Sequence, residues 1–165
     1  MHFSTIVVGL LAEIVASASY NIPVEMAVAD TCAMPSEYTI TNFVTFGDKL
    51  NGTLNTTSFH FADSETGIDT SCTKNSTSAT SSPNGGTARY YCDDATVEFI
   101  WQTTGIAGLT VIEKACPENG SSKYEVSGLS QFNLTCTTTY DGTLCSSSQT
   151  TTGEFTSLNP VTETS

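Results

Sequence analysis

GGTARYYCDDATVEFIWQ (85–102) carries the pattern that decides the fold. From Val97 the residues alternate. Val97, Phe99 and Trp101 share one side, and Glu98, Ile100 and Gln102 the other, the period of a strand with one buried face. TARYYC, just ahead, reads as a second strand, and Asp93-Asp94-Ala95 as the connection between them. Trp101 is therefore assigned to the core, and Tyr90 and Tyr91 point opposite ways. Asp93 and Asp94 invite a catalytic or calcium reading, since paired carboxylates can divide acid and base work when their environments differ. Adjacent strand residues face opposite sides, however, and in a turn both are wet, so a turn is the expected role.

The same period recurs outward from this stretch. EYTITNFVTF (37–46) alternates with a phase change near Asn42-Phe43, the mark of a bulge. TLNTTSFHFAD (53–63) sets Phe59 and Phe61 on one face and His60 on the other. DSETGID (63–69) carries Asp63, Glu65 and Asp69 but not the regular calcium-loop pattern, and is read as a solvated turn. KNSTSATSSPNGG (74–86) is a loop of turn formers. GLTVIEKAC (108–116) is a strand ended by Pro117. KYEVSGLSQFNLTCTTTY (123–140) is one or two strands broken around Gly128. Asp141-Gly142 is a hairpin turn, and EFTSL (154–158) a last strand. No helical period runs through any segment after residue 18. The expected fold is all-β: a compact antiparallel β-barrel or tightly closed β-sandwich of eight to eleven short strands.

MHFSTIVVGLLAEIVASA (1–18) is read as a secretory signal, with an apolar run and the small-x-small pattern Ala16-Ser17-Ala18. An irregular leader (19–36), one β domain (37–158) and a flexible tail (159–165) complete the expected organisation. The formal charge is −12 with only five basic residues, and losing Glu13 with the signal leaves −11. Such a surface repels phosphate backbones and anionic lipid, so neither nucleic acid nor membrane is an expected partner. No later segment is long and apolar enough to cross a membrane.

Six cysteines, Cys32, Cys72, Cys92, Cys116, Cys136 and Cys145, follow the signal. An even count suits three bridges in an oxidising compartment. No pair has zinc-knuckle spacing, and His60 is the one histidine after the signal, so no metal or cofactor is expected. Six cysteines permit fifteen pairings, and spacing gives hints rather than a unique answer. Cys72 and Cys92 bracket the loop at 74–86; Cys136 and Cys145 bracket the Asp-Gly turn. A strict two-residue turn would set Thr138 opposite Cys145, leaving Cys136 two positions out of register unless the loop is wider or bulged. Five sequons, Asn51, Asn55, Asn75, Asn119 and Asn133, are candidate glycan acceptors if exposed.

In order and spacing, EYTITNF, TSFHF, DTSC, RYYC, VEFIW and YEVSGLSQFNLTC resemble the Alt a 1 family of fungal secreted proteins, over roughly Tyr38 to Cys145. The resemblance implies a compact β-barrel with bridges Cys72–Cys92 and Cys136–Cys145. It also implies a leader cysteine that links two subunits, the place Cys32 takes here. Cys116 looks additional and offers Cys32 an intrachain partner, so Cys32–Cys116 is expected, and any homodimer is expected to be non-covalent. The family has no firmly established enzyme activity; its members are tied to plant defence and to binding pathogenesis-related proteins.

No catalytic residue is assigned. There is no G-x-S-x-G elbow, and a Ser-His-Asp site would have to use His60, beside which the sequence places no acid or nucleophile. The expected function is that of a secreted, non-enzymatic effector or elicitor-like protein that binds a host apoplastic protein. A carbohydrate-binding or cell-wall-associated module is the alternative, which an exposed aromatic strip would favour.

Overall fold

A computed structural model describes residues 34–49, 55–81, 86–105, 107–118 and 121–161. The expected signal, Cys32, Asn51, Asn119 and most of the leader lie outside them, as does the end of the tail. Twelve strands occur among the described residues. In chain order they are β1 (Glu37–Asp48), β2 (Thr56–Asp63), β3 (Ile68–Lys74), β4 (Thr80–Ser81), β5 (Arg89–Tyr91) and β6 (Val97–Gln102), then β7 (Gly108–Glu118), β8 (Ser121–Ser130), β9 (Thr135–Thr138), β10 (Gly142–Ser146), β11 (Thr151–Glu154) and β12 (Ser157–Pro160).

They form two six-stranded antiparallel sheets. The first runs β3-β2-β1-β10-β9, with β11 also on β1; the second runs β12-β8-β7-β6-β5-β4. Twelve-residue β1 serves two partners on one edge, pairing β11 through Glu37–Ile40 and β10 through Val44–Asp48. The expected phase change is a real bulge: register with β2 slips between Thr41 and Val44, and Asn42 takes φ 55°. Asparagine tolerates that left-handed conformation. The slip turns Ile40 and Phe43, three residues apart, into the same interior.

The sheets pack face to face. β1 contributes Tyr38, Ile40 and Phe43, β2 Phe59 and Phe61, β6 Val97 and Phe99, and β7 Leu109 and Val111. Phe59 meets Phe99 edge-on across the gap at 4.9 Å between centroids. Each such side chain contributes about 1.5–3 kcal/mol by burial. Trp101, expected in the core, is partly buried and packs against it, on Phe43 at 4.8 Å.

Two seams join the sheets. At one, the Cys72–Cys92 disulfide ties β3 to the residue after β5, and the Asp93 N–H donates to Ser71 O at 2.8 Å. At the other, the chain passes from β11 to β12, and Phe155 and Thr156 N–H groups donate to Ser36 O and Ser127 O, both at 2.9 Å. Neither sheet closes on itself, so the sandwich alternative is observed and the barrel is not. Strands β9 and β4, at the ends of the two sheets, are joined by no ladder among the described residues.

Several boundaries differ from expectation. The loop at 74–86 contains the short β4, which pairs β5 through Thr80↔Tyr90. Pro117 does not end β7: Cys116 takes φ 58° and pairing resumes at Pro117↔Ser122. β8 runs through Gly128, and the break comes at 131–134. The expected last strand is two, bent at the buried Phe155, and β12 extends to Pro160, into the stretch expected as tail.

Glu98 lies on the outward face of β6, as the alternation requires, yet its side chain is only 3% exposed. Arg89 (3.3 Å), Lys114 (3.0 Å) and the Ser81 hydroxyl (3.3 Å) close over it, and Arg89 also reaches Glu125 at 3.0 Å. Removing a carboxylate so enclosed strands its partners. Glu98→Ala is expected to lower the unfolding free energy by about 2 kcal/mol, measured as a fall in urea midpoint.

Candidate functional site

The segment FNLTCTTTYDGTLC (132–145) leaves the core gradually. Phe132 and Leu134 are half-buried, Phe132 stacking on Phe43 at 4.2 Å. From Thr135 all four residues of β9 are exposed. β-branched threonines keep the strand extended without a buried face. The loop is wider than two residues: Thr143 pairs Thr138, which puts Cys145 directly opposite Cys136, and the two form a disulfide with Cα atoms 4.0 Å apart. Thr139 N–H donates to Gly142 O at 2.8 Å and closes the turn.

The turn end of this hairpin is fixed against β1. A Cβ on Gly142 would lie 2.3 Å from Gly47 O and 2.4 Å from Phe46 Cζ, so glycine alone permits β10 to approach β1 this closely. Lys49 N–H donates to Asp141 O at 3.2 Å. At this turn Tyr140 stands 94% exposed, and on β10 Leu144 is 46% exposed. Among the described residues β9 carries a partner on one edge only, and there its other edge offers unpaired main-chain groups.

The other predicted residues fall as follows. Asp93 and Asp94 form the turn. Asp94 Oδ1 accepts from Thr96 N–H (2.9 Å) and its hydroxyl (2.6 Å), and Asp94 N–H donates to Thr70 Oγ1 at 2.9 Å. Asp63 caps the β2–β3 turn, its Oδ1 accepting from Glu65 N–H at 2.6 Å. Glu65 in turn holds the start of β1, accepting from the Ser36 N–H and hydroxyl, and the Ser36 N–H foremost holds its carboxyl below the usual range. Tyr90 packs on Phe99, while Tyr91 is exposed beneath Lys114. The exposed Tyr91 and Tyr140 belong to different sheets and make no aromatic strip. Asn55, Asn75 and Asn133 are exposed, Asn133 turned outward between the inward Phe132 and Leu134. Cys72–Cys92 and Cys136–Cys145 are both formed, and Cys116 is also disulfide-bonded.

Sequence reasoning placed no acid beside His60; the fold does. Asp69 Oδ1 lies 2.9 Å from its Nε2, and Ser71 is its direct cross-strand neighbour. Both side chains of the pair are open to water, so it is a surface contact worth under about 1 kcal/mol. Next to it an open pocket of about 330 Å³ is lined by Glu37, Thr39, Ala62, Asp69 and Thr152, among others. Among the described residues no three His, Cys, Asp or Glu side chains gather closely enough to hold a metal ion.

Glu113 was missed altogether. It lies on the inner face of β7, fully buried, between Val97 and Val126 on the flanking strands. Burial, foremost, raises its carboxyl to about 8, and the negative charges of Asp63 and Asp94 add to the rise.

No family model, curated protein or solved structure matches this chain.

Proposed function

We propose that this is a secreted, non-enzymatic binding protein of the effector or elicitor kind, which engages a host extracellular protein through the β9–β10 hairpin. The observation that carries the reading is the hairpin itself: a disulfide-stapled sheet edge with its turn anchored on β1, which presents Tyr140, Leu144 and, among the described residues, an unpaired strand edge. Apolar side chains held rigidly in water lose little entropy on binding, and an open edge can accept a partner strand through main-chain hydrogen bonds. Secretion is supported by the disulfides and by the expected signal, and the host-directed role by the resemblance to the Alt a 1 family.

The test is capture from plant apoplastic fluid by the oxidised protein, with cell-wall glycan binding measured on the same sample. The wild type is expected to retain a protein saturably, and Tyr140→Ser/Leu144→Ser to weaken that binding at least tenfold, the scale of an interface hot spot. Saturable binding to glycan alone, or undiminished capture by the double variant, would sink the reading.

A further inference from the structure

Four buried oxygens meet no hydrogen-bond partner among the described residues: both of Glu113, Oδ2 of Asp63 and Oγ1 of Thr66. They belong to one place. Asp63 ends β2 with its side chain inward and 2% exposed. Thr66 sits in the turn that Asp63 caps, its N–H donating to Asp63 Oδ1 at 3.3 Å. Glu113 arrives from the opposite sheet, on the stretch of β7 where Lys114 N–H donates to Thr96 O at 2.8 Å, beside the Asp94 turn. Orphaned buried oxygens are costly, and two ionised carboxylates side by side far more so.

We propose that Asp63 and Glu113 form a buried acid pair holding one proton between them, and that release of this proton to water loosens the corner closed by Cys72–Cys92. With the proton in place, one carboxyl donates to the other and an orphaned acceptor on each side is satisfied. Without it, two like charges share the site, and no basic side chain among the described residues divides them. The titratable groups turned toward Glu113 are Asp63 from β2 and Asp94 from the β5–β6 turn, both acidic. The flanking positions on β6 and β8 are Val97 and Val126. The basic side chains of the neighbouring strands, Arg89 and Lys114, are on the outer face, bound to Glu98 and Glu125.

The sign follows from linkage. The folded carboxyl keeps its proton to about pH 8, whereas the unfolded one releases it near 4.5. Between those values the native state binds more protons, so this carboxyl's contribution to stability is full below pH 4.5, falls as pH rises, and levels off above about 8. Glu113→Gln removes the dependence while keeping the shape. Urea unfolding of both proteins from pH 5 to 8 is expected to show the folding equilibrium constant of the variant gaining on wild type by about tenfold per pH unit. Carboxyl-carbon NMR of the ¹³C-glutamate-labelled wild type is expected to show one glutamate titrating near pH 8, and that reading holds whether or not the variant folds. Parallel profiles, or every glutamate titrating in the ordinary range, would overturn the proposal. So would millimolar calcium that flattens the wild-type profile, since a cation would then take the place given to the proton.

Discussion

Gly128→Ala is expected to cost about 4 kcal/mol, a large share of the stability of an ordinary domain. The reason is space. A Cβ at Gly128 would lie 2.2 Å from Glu154 O and 2.7 Å from Tyr38 Cε1. Tyr38 pairs with Gly153 on β11 and lays its ring over both glycines, its hydroxyl reaching Ser130 Oγ at 3.0 Å in the interior. An alanine at 128 would have to displace main chain on one side and a fully packed ring on the other, and neither is a flexible side-chain end. Tyr38→Phe keeps the ring and loses one buried hydrogen bond, so it is expected to cost only about 1 kcal/mol. Urea denaturation of the two variants checks both values; a Gly128→Ala protein within 1 kcal/mol of wild type would show that the ring does not pin the strands.

The two resolved disulfides are expected to differ in role. Removing Cys72–Cys92 as the double serine variant should cost roughly 5 kcal/mol, and removing Cys136–Cys145 roughly 2 kcal/mol. Loop closure alone does not separate them, because entropy depends only weakly on the spans of 20 and 9 residues. Burial does. Cys72 is fully buried and Cys92 nearly so, within the core at the seam between the sheets, and serines there would leave polar groups in an apolar site. Cys136 is exposed on a strand whose residues all face water. Thermal unfolding of the two variants should therefore lose far more for the first. Equal losses would contradict the distinction between a structural weld and a surface staple.

Much of this was legible in the residues. Alternation at 37–46, 53–63 and 97–102 identified strands and faces, and the phase change at Asn42-Phe43 marked the bulge. What failed was what periodicity does not encode. Alternation favoured no single closure, because sandwich and barrel place the same residues inward; the resemblance implied a barrel, which the two open sheets do not form. Gly128 read as a break because the ring that fills its space comes from Tyr38, ninety residues away. Glu98 was correctly turned outward, but its enclosure depends on Arg89 and Lys114 arriving from neighbouring strands. Glu113 did leave a signal: Leu109, Val111, Glu113 and Ala115 share one face of β7, so an acid was written into an otherwise apolar face. The Asp-Gly pair marked the hairpin, yet loop width, and with it the Cys136–Cys145 register, rests on hydrogen bonds around Thr139.

The direct measurement is the affinity of the captured host protein for wild type and for Cys136→Ser/Cys145→Ser, with circular dichroism confirming that the variant keeps the wild-type fold. If recognition lies on the stapled hairpin, the variant stays folded while its affinity falls at least tenfold. A folded variant that binds as tightly as wild type would place recognition elsewhere on the sandwich.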